Sequence, residues 1–473
     1  MRKSMKKLVL IGGGSVRTYY FVESLIKFHE RLGIDRLYIM DIDAERLSYF
    51  GGMALHLIKR SKSKLKVVLT DQIVEAVEGA DYVVTTIRVG MDEARCRDER
   101  IALDLNLIGQ ETTGAGGFSY AIRTIPLILD YMRIIKQHAK PNVTVFNFTN
   151  PSGLVTQAIY DAGFDGVVGI CDNATGIKID ISDALKIDAS DIVVKVYGLN
   201  HLSWANSVEI GGVNILPRLL ENEGFVQNFR QFHYFDRDLV RSLGEIPNGY
   251  LYYYYHRDKA LSNLLASPLS RGESIRDINY AMMEELRKHS IETEAEQCIS
   301  IYRDYMHRRE GSYMSIEMGG ESKSYDPIDV ESLGITELIG RNSSHEVYEG
   351  YAGVVFNYID SVNNKKNIDL AISVPNGRAI PEMAPTDVVE VTCNIGVNGF
   401  TPMNFENINP TNLILMQTIK RYEKLTVEAV REKNIEKAIE ALTIHPLISD
   451  YSLAKRLVKE YVKLNEPYIG VWK

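Results

Sequence analysis

Cysteine is scarce in this chain: four residues in 473, at positions 96, 171, 298 and 393, none in CxxC spacing. That excludes a disulfide-built fold and leaves free thiols in a reducing compartment, the cytoplasm, as the expectation. Long apolar runs are missing too. Nothing approaches the roughly 18 unbroken apolar residues of a membrane span, so no membrane partner is expected. The start "MRKSMKKLVLIGGGS" is basic and then apolar, but the apolar run is short and ends in glycines, so it reads as a first strand rather than a secretory signal. Neither sign of charge dominates: 54 basic and 62 acidic residues give a formal charge of −8 with the signs interspersed. There is no footprint for nucleic acid, although a local arginine cluster could still take an anionic small molecule. Internal repeats and low-complexity linkers are absent as well. At 45% hydrophobic and 25% charged residues the composition is that of a globular protein. The length exceeds the roughly 250 to 300 residues that one core supports, so two domains are expected.

Residues 7 to 170 alternate short β-rich runs ("KLVLI", "RLYIMDID", "KVVLT", "ADYVVTTIRVG", "NVTVFNF", "GVVGI") with helical patterns such as "YYFVESLIKFHERL" and "AIRTIPLILDYMRIIKQHA". Apolar strands separated by helices imply parallel strands buried on both faces with right-handed crossovers. The expected fold is α/β: a Rossmann-like doubly wound parallel sheet over residues 1–195, followed by a C-terminal mixed α+β domain over 196–473, in an arrangement like that of lactate dehydrogenase. The second domain carries strand-like pieces at "VVKVYGLNHLSWANSVEI" and "DVVEVTCNIG", and helical stretches through 220 to 310 and from about 410 to 465.

The turn Gly12-Gly13-Gly14-Ser15 follows the first strand and opens a helix, where backbone amides and the helix dipole can receive a pyrophosphate. The third glycine position of the dinucleotide fingerprint is Arg17, so the match is partial. Asp41 and Asp43 end the second strand, where a carboxylate commonly holds the adenosine ribose and would repel a 2′-phosphate. NAD is therefore favoured over NADP. The alternative is a tight strand-to-helix turn with aspartates that only cap the next helix.

Arg88, Asn150, Cys171 and His201 each stand just after an apolar strand-like run. Ligands of open parallel sheets bind beyond the carboxyl ends of the strands, so these four could converge. Cys171 and His201 pair a thiolate with an imidazole, donors that suit a borderline divalent ion and leave coordination positions for substrate oxygens and water. Taken singly, a lone Cys such as Cys171 is more often a small buried apolar side chain, and a lone His such as His201 more often a hydrogen-bonded core residue.

In order along the chain, "IGGGSVRTY", "IRVG", "IGQETTGAGGF", "NFTNPSGLV", "GICDN" and "GLNHLSW" resemble the family 4 glycoside hydrolases, an NAD-dependent exception to two-carboxylate glycosidases. The resemblance implies NAD and a divalent metal, usually Mn²⁺. It also implies a hydrolysis in which the sugar C3 hydroxyl is oxidised, the acidified C2 proton is removed, the glycosidic oxygen leaves, water adds at C1 and the hydride returns. Cys171 and His201 fall on the metal-ligand positions of the family, and Tyr250 in "IPNGYLYYYY" on its proton-abstracting tyrosine, in a run of five tyrosines in six residues. Arg88, Asn150 and Arg271 match positions that contact the sugar or its 6-phosphate, and Glu111 lies near them. Arginine suits bidentate oxyanion recognition, which points to a phosphorylated disaccharide or glucoside.

Asp172 resembles the acid position of members that cleave α-linked phosphoglucosides. "QETTGAGGF", "IPNGYLYYYY", "YEGYAGVVFNYID" and "PEMAPTDVVEVTCNIGVNG" read more like the β-acting branch, so a 6-phospho-β-glucosidase is expected ahead of a 6-phospho-α-glucosidase. The family implies a homodimer or homotetramer. Two rivals are a lactate- or malate-type dehydrogenase, which would need no metal, and a nucleotide-sensing protein that holds NAD without turnover.

Overall fold

A computed structural model describes residues 5–311, 314–320, 328, 331–335, 338 and 350–473. Tyr348 and Glu349 of the "YEGYAGVVFNYID" stretch lie outside the described residues. Contacts divide the chain into two units: Met1–Val168 with Leu261–Gly319 and Tyr422–Lys473, and Gly169–Ala260 with Gly320–Arg421.

The first unit is built on the strands β1 (Lys6–Ile11), β2 (Ile34–Met40), β3 (Lys66–Thr70), β4 (Tyr82–Thr85), β5 (Thr144–Asn147) and β6 (Val167–Gly169). Their order, β6-β5-β4-β1-β2-β3, is that of a doubly wound sheet. The pairs β1/β2, β1/β4, β2/β3 and β4/β5 are parallel. Leu8, Val9, Leu10 and Ile11 of β1 are wholly buried, as expected of a strand covered on both faces. β4 is shorter than its apolar run suggested, ending at Thr85 so that Ile87 and Arg88 fall in the loop beyond it.

The expected single boundary at residue 195 differs from this discontinuous division. Helices Arg271–Leu286 and Ala295–Glu310 bury Met282, Met283 and Tyr302 in one cluster with Tyr19, Phe50 and Met53. The Tyr302 hydroxyl also donates to Val16 O at 2.6 Å. The last helix, Tyr451–Ile469, is tied in by Tyr461, which donates to Asp98 O, and by Asn465, which donates to Ser119 Oγ. Helix-period apolar faces tell which side of a helix is buried but not which sheet receives it, so sequence order alone placed these helices in the second domain.

The second unit holds β7 (Ile192–Leu199), β8 (Leu202–Ile210), β9 (Val213–Asn214), β10 (Ile246–Pro247), β11 (Ile368–Pro375), β12 (Val388–Gly396) and β13 (Gly399–Pro402), all paired antiparallel. Thr392 of β12 stitches to β7, accepting from Val196 N at 2.8 Å and donating to Val194 O at 3.0 Å. Ser373 of β11 pairs with Gly169, which fixes the chain just ahead of Cys171. Among the described residues no helix is long and apolar enough to cross a membrane.

Candidate active site

Three separate turns of the second unit bring their chemistry together. Cys171 is the N-cap of helix Asp172–Leu185 and is buried. His201 sits in the tight turn between β7 and β8 at φ 62°, in the left-handed region that few non-glycine residues adopt. This turn aims the imidazole so that Nε2 lies 3.4 Å from Cys171 Sγ. Tyr250 occupies the short turn Gly249–Leu251 after β10, and its ring lies face to face with that of His201, centroids 3.8 Å apart and planes 3° from parallel.

The run of tyrosines thus sorts itself by position. Tyr250 meets the imidazole, whereas Tyr252 and Tyr253 are buried in the core and the Tyr255 hydroxyl accepts from Trp204 Nε1 at 3.3 Å. Asp172, at the first helical position, has Oδ1 3.9 Å from Cys171 Sγ. Burial, reinforced by the Asp172 and Glu390 carboxylates, pushes the Cys171 thiol well above its ordinary range, against the opposing hydrogen bonds of Asn173 and Asn200. A thiolate in such surroundings needs a cation beside it.

Whether these residues fit a divalent ion can be tested on spacing and donor chemistry. Sulfur and imidazole nitrogen 3.4 Å apart are placed as two donors sharing one ion at coordination distances of about 2.0 to 2.3 Å. Among the described residues no group of three or more His, Cys, Asp or Glu side chains is arranged to hold a metal. Two such donors would leave the other positions of an ion to small-molecule oxygens and water.

The first unit carries the other predicted residues. Arg88 pairs with Glu111 at 2.7 Å, and Arg95, which sequence reasoning missed, reaches the same carboxylate at 3.2 Å. Burial alone would raise the Glu111 carboxyl, but Arg88, Arg95 and Arg271 outweigh it and hold it well below the usual carboxylate range. Arg88, Glu111 and Arg271 are thus drawn into one basic cluster. Arg271 starts a helix whose Gly272 amide donates to Glu99 at 2.7 Å, and Glu99 in turn pairs with Arg95 at 2.8 Å. Ile87 N donates to Thr149 Oγ1 at 3.2 Å, which sets the Arg88 loop beside the loop of Asn150. Asn150 precedes a cis proline, Pro151, and its side-chain oxygen accepts from Ser152 N.

At the glycine turn, Gly12 has φ 96°, and a Cβ there would lie 2.4 Å from Thr86 O. A Cβ on Gly13 would strike Ile39 at 2.1 Å, so the close approach of the strands requires both glycines. Ser15 Oγ accepts from Arg17 N and Ser15 O from Thr18 N, and no side chain caps the helix that begins at Thr18. Asp41 accepts from Gly14 N at 2.7 Å and from Asp43 N at 2.9 Å, while Asp43 caps the next helical turn through Arg46 N. Both aspartates therefore shape the turn, and their carboxylates retain acceptor capacity for a ribose.

The first unit has the strand order of a dinucleotide-binding sheet, and the second unit brings a thiol, an imidazole and a tyrosine ring together. The sequence pattern of the family 4 glycosyl hydrolases matches residues 7–187, and that of the family's C-terminal domain matches residues 196–448. The chain belongs to this family, and it is a glycosidase. It is 28% identical to a probable 6-phospho-beta-glucosidase of Bacillus subtilis (strain 168), over 98% of this chain and 97% of the relative. It is 26% identical to a phospho-alpha-glucosidase of Clostridium acetobutylicum, over 98% and 99%. Among solved structures it resembles the 6-phospho-beta glucosidase of Thermotoga maritima with manganese, NAD+ and glucose-6-phosphate, with a TM-score of 0.79, 25% identity and coverage of 98% and 100%.

Proposed function

We propose that this protein hydrolyses 6-phosphorylated glucosides, β-linked ones first, with NAD and a divalent ion such as Mn²⁺ as cofactors. The observation that carries the reading is the meeting of Cys171 Sγ, His201 Nε2 and the Tyr250 ring. Bound NAD would supply a reversible hydride acceptor for the sugar C3, and a bound divalent ion a Lewis acid toward the C2 and C3 oxygens. Cys171 and His201 would hold the ion. Tyr250 takes the C2 proton on its phenolate oxygen, its ring fixed by the His201 stack and its backbone N–H by Asn248 Oδ1 at 3.0 Å. Gly12, Gly13, Gly14 and Ser15 receive the pyrophosphate, and Asp41 and Asp43 the ribose. Arg88 and Arg271, with Asn150, bind the sugar and its phosphate, and Glu111 keeps the guanidiniums oriented.

Asp172 beside Cys171 supports the alternative, a 6-phospho-α-glucosidase of the same mechanism. Relatives named for either anomer cover the whole chain at similar identity, so Asp172 and the β-like stretches carry the choice. We assign dinucleotide binding to residues 1–195, and metal, substrate and oligomer contacts chiefly to 196–473. A cytoplasmic homodimer or homotetramer is the state this reading implies. The test is release of nitrophenol from α- and β-glucoside 6-phosphates with and without NAD and Mn²⁺. The β compound should be cleaved only when both are present, and cleavage that ignores NAD would end the proposal.

A further inference from the structure

Glu390 lies in the middle of β12, between the fully buried Val389 and Val391, and is itself 2% exposed. A carboxylate there is costly, and an apolar side chain of similar volume would pack a strand at least as well, so packing alone does not explain it. Its two oxygens are divided between the two residues that flank the His201 turn. Oε2 accepts from Asn200 Nδ2 at 3.0 Å and Oε1 from Ser203 Oγ at 3.0 Å. Each of these leads onward to the site. Asn200 immediately precedes His201, whose Nε2 lies 3.4 Å from Cys171 Sγ. Ser203 Oγ accepts from Asn248 Nδ2 at 3.2 Å, Ser203 O accepts from Asn248 N at 2.9 Å, and Asn248 Oδ1 holds Tyr250 N. One buried carboxylate therefore ties the imidazole turn, which meets the thiol, to the tyrosine turn, two segments far apart in sequence.

We propose that Glu390 is a positioning residue: through Asn200 it sets the Cys171–His201 pair for the divalent ion, and through Ser203 and Asn248 it sets Tyr250 for proton removal. The inference rests on the functional reading above. Two branches give two separable effects. Glu390→Gln keeps the shape but removes the negative charge, and a neutral amide holds Asn200 and Ser203 less strongly than a carboxylate, so it weakens both branches. Ser203→Ala removes the side-chain link to Asn248, and so weakens only the branch to Tyr250, whose backbone bond to Ser203 O remains.

The experiment compares full-length wild type, Glu390→Gln and Ser203→Ala in three readouts: Mn²⁺ affinity without substrate by electron paramagnetic resonance, kcat and KM at saturating Mn²⁺, and thermal unfolding of the metal-free protein. Glu390→Gln should bind Mn²⁺ about 10-fold or more weakly, the size typical of losing a partner behind a metal ligand. Ser203→Ala should keep its Mn²⁺ affinity and lose about 10-fold in kcat with KM unchanged, a test that stands even if Glu390→Gln does not fold. Active wild type with both variants unchanged in affinity and kcat overturns the role of Glu390. Wild type that neither binds Mn²⁺ nor turns over contradicts the functional reading itself.

Discussion

Replacing Tyr250 by phenylalanine removes one oxygen and little else. The ring that stacks on His201 at 3.8 Å is retained, and the hydrogen bond that fixes the turn comes from the backbone N–H of residue 250, which the substitution does not touch. Fold stability and Mn²⁺ affinity should therefore stay near wild type, within the roughly 0.5 kcal/mol typical of substitutions that disturb no packing. The chemistry should not survive. A positioned base contributes about 10²- to 10⁴-fold, or about 3 to 5 kcal/mol of barrier. Tyr250→Phe should accordingly lose two orders of magnitude or more in kcat for nitrophenyl β-glucoside 6-phosphate, with Tyr253→Phe as the matched control from the buried part of the run. The reasoning is refuted if Tyr250→Phe keeps its kcat within a few-fold while Tyr253→Phe loses it, because the proton would then be taken by the neighbour.

Three further outcomes follow from particular contacts. Chelation with EDTA should abolish turnover and added Mn²⁺ restore it; activity that survives dialysis against EDTA contradicts the site. Glu111→Gln leaves Arg88 and Arg95 with an uncharged partner in buried surroundings, a loss of about 3 kcal/mol or more that calorimetric unfolding would register. Glu245 accepts hydrogen bonds from Tyr197 and Asn412, yet burial pushes it up to about 7 from 4.5. Its folded pKa is raised, so its contribution is full below pH 4.5 and is lost as pH rises through 7, about 3 kcal/mol at most. Glu245→Gln should flatten that part of the stability profile; an unchanged slope between pH 5 and 8 would show that Glu245 does not titrate there.

The parallel sheet was legible because strands buried on both faces must be written as continuous apolar runs, as β1, β4, β5 and β6 are, while β2 and the edge strand β3 are partly exposed. Cys171, His201 and the tyrosine run were legible as motifs, but the register within the run was not: only the His201 stack separates Tyr250 from its neighbours. Arg95 and Glu390 were missed for a shared reason. Glu390 meets Asn200 from 190 residues away, and Arg95 meets Glu111 across a loop as well as Glu99 on its own helix, and apolar patterning carries no information about such polar meetings. A lone glutamate in "DVVEVTCNIG" was the available signal, since an apolar strand rarely tolerates one without a purpose. The discontinuous first unit was hidden for a similar reason, as helices of the second half bury their apolar faces around Tyr19 and Phe50.

The most direct measurement is the fate of the sugar's C2 hydrogen when the enzyme works in D₂O with NAD and Mn²⁺. Removal of that proton by Tyr250 and its replacement from solvent predict a phosphorylated glucose product carrying deuterium at C2. Product that retains its original C2 hydrogen under full turnover would mean that the bond is broken by direct displacement, and that the thiol, imidazole and phenol meet for some other purpose.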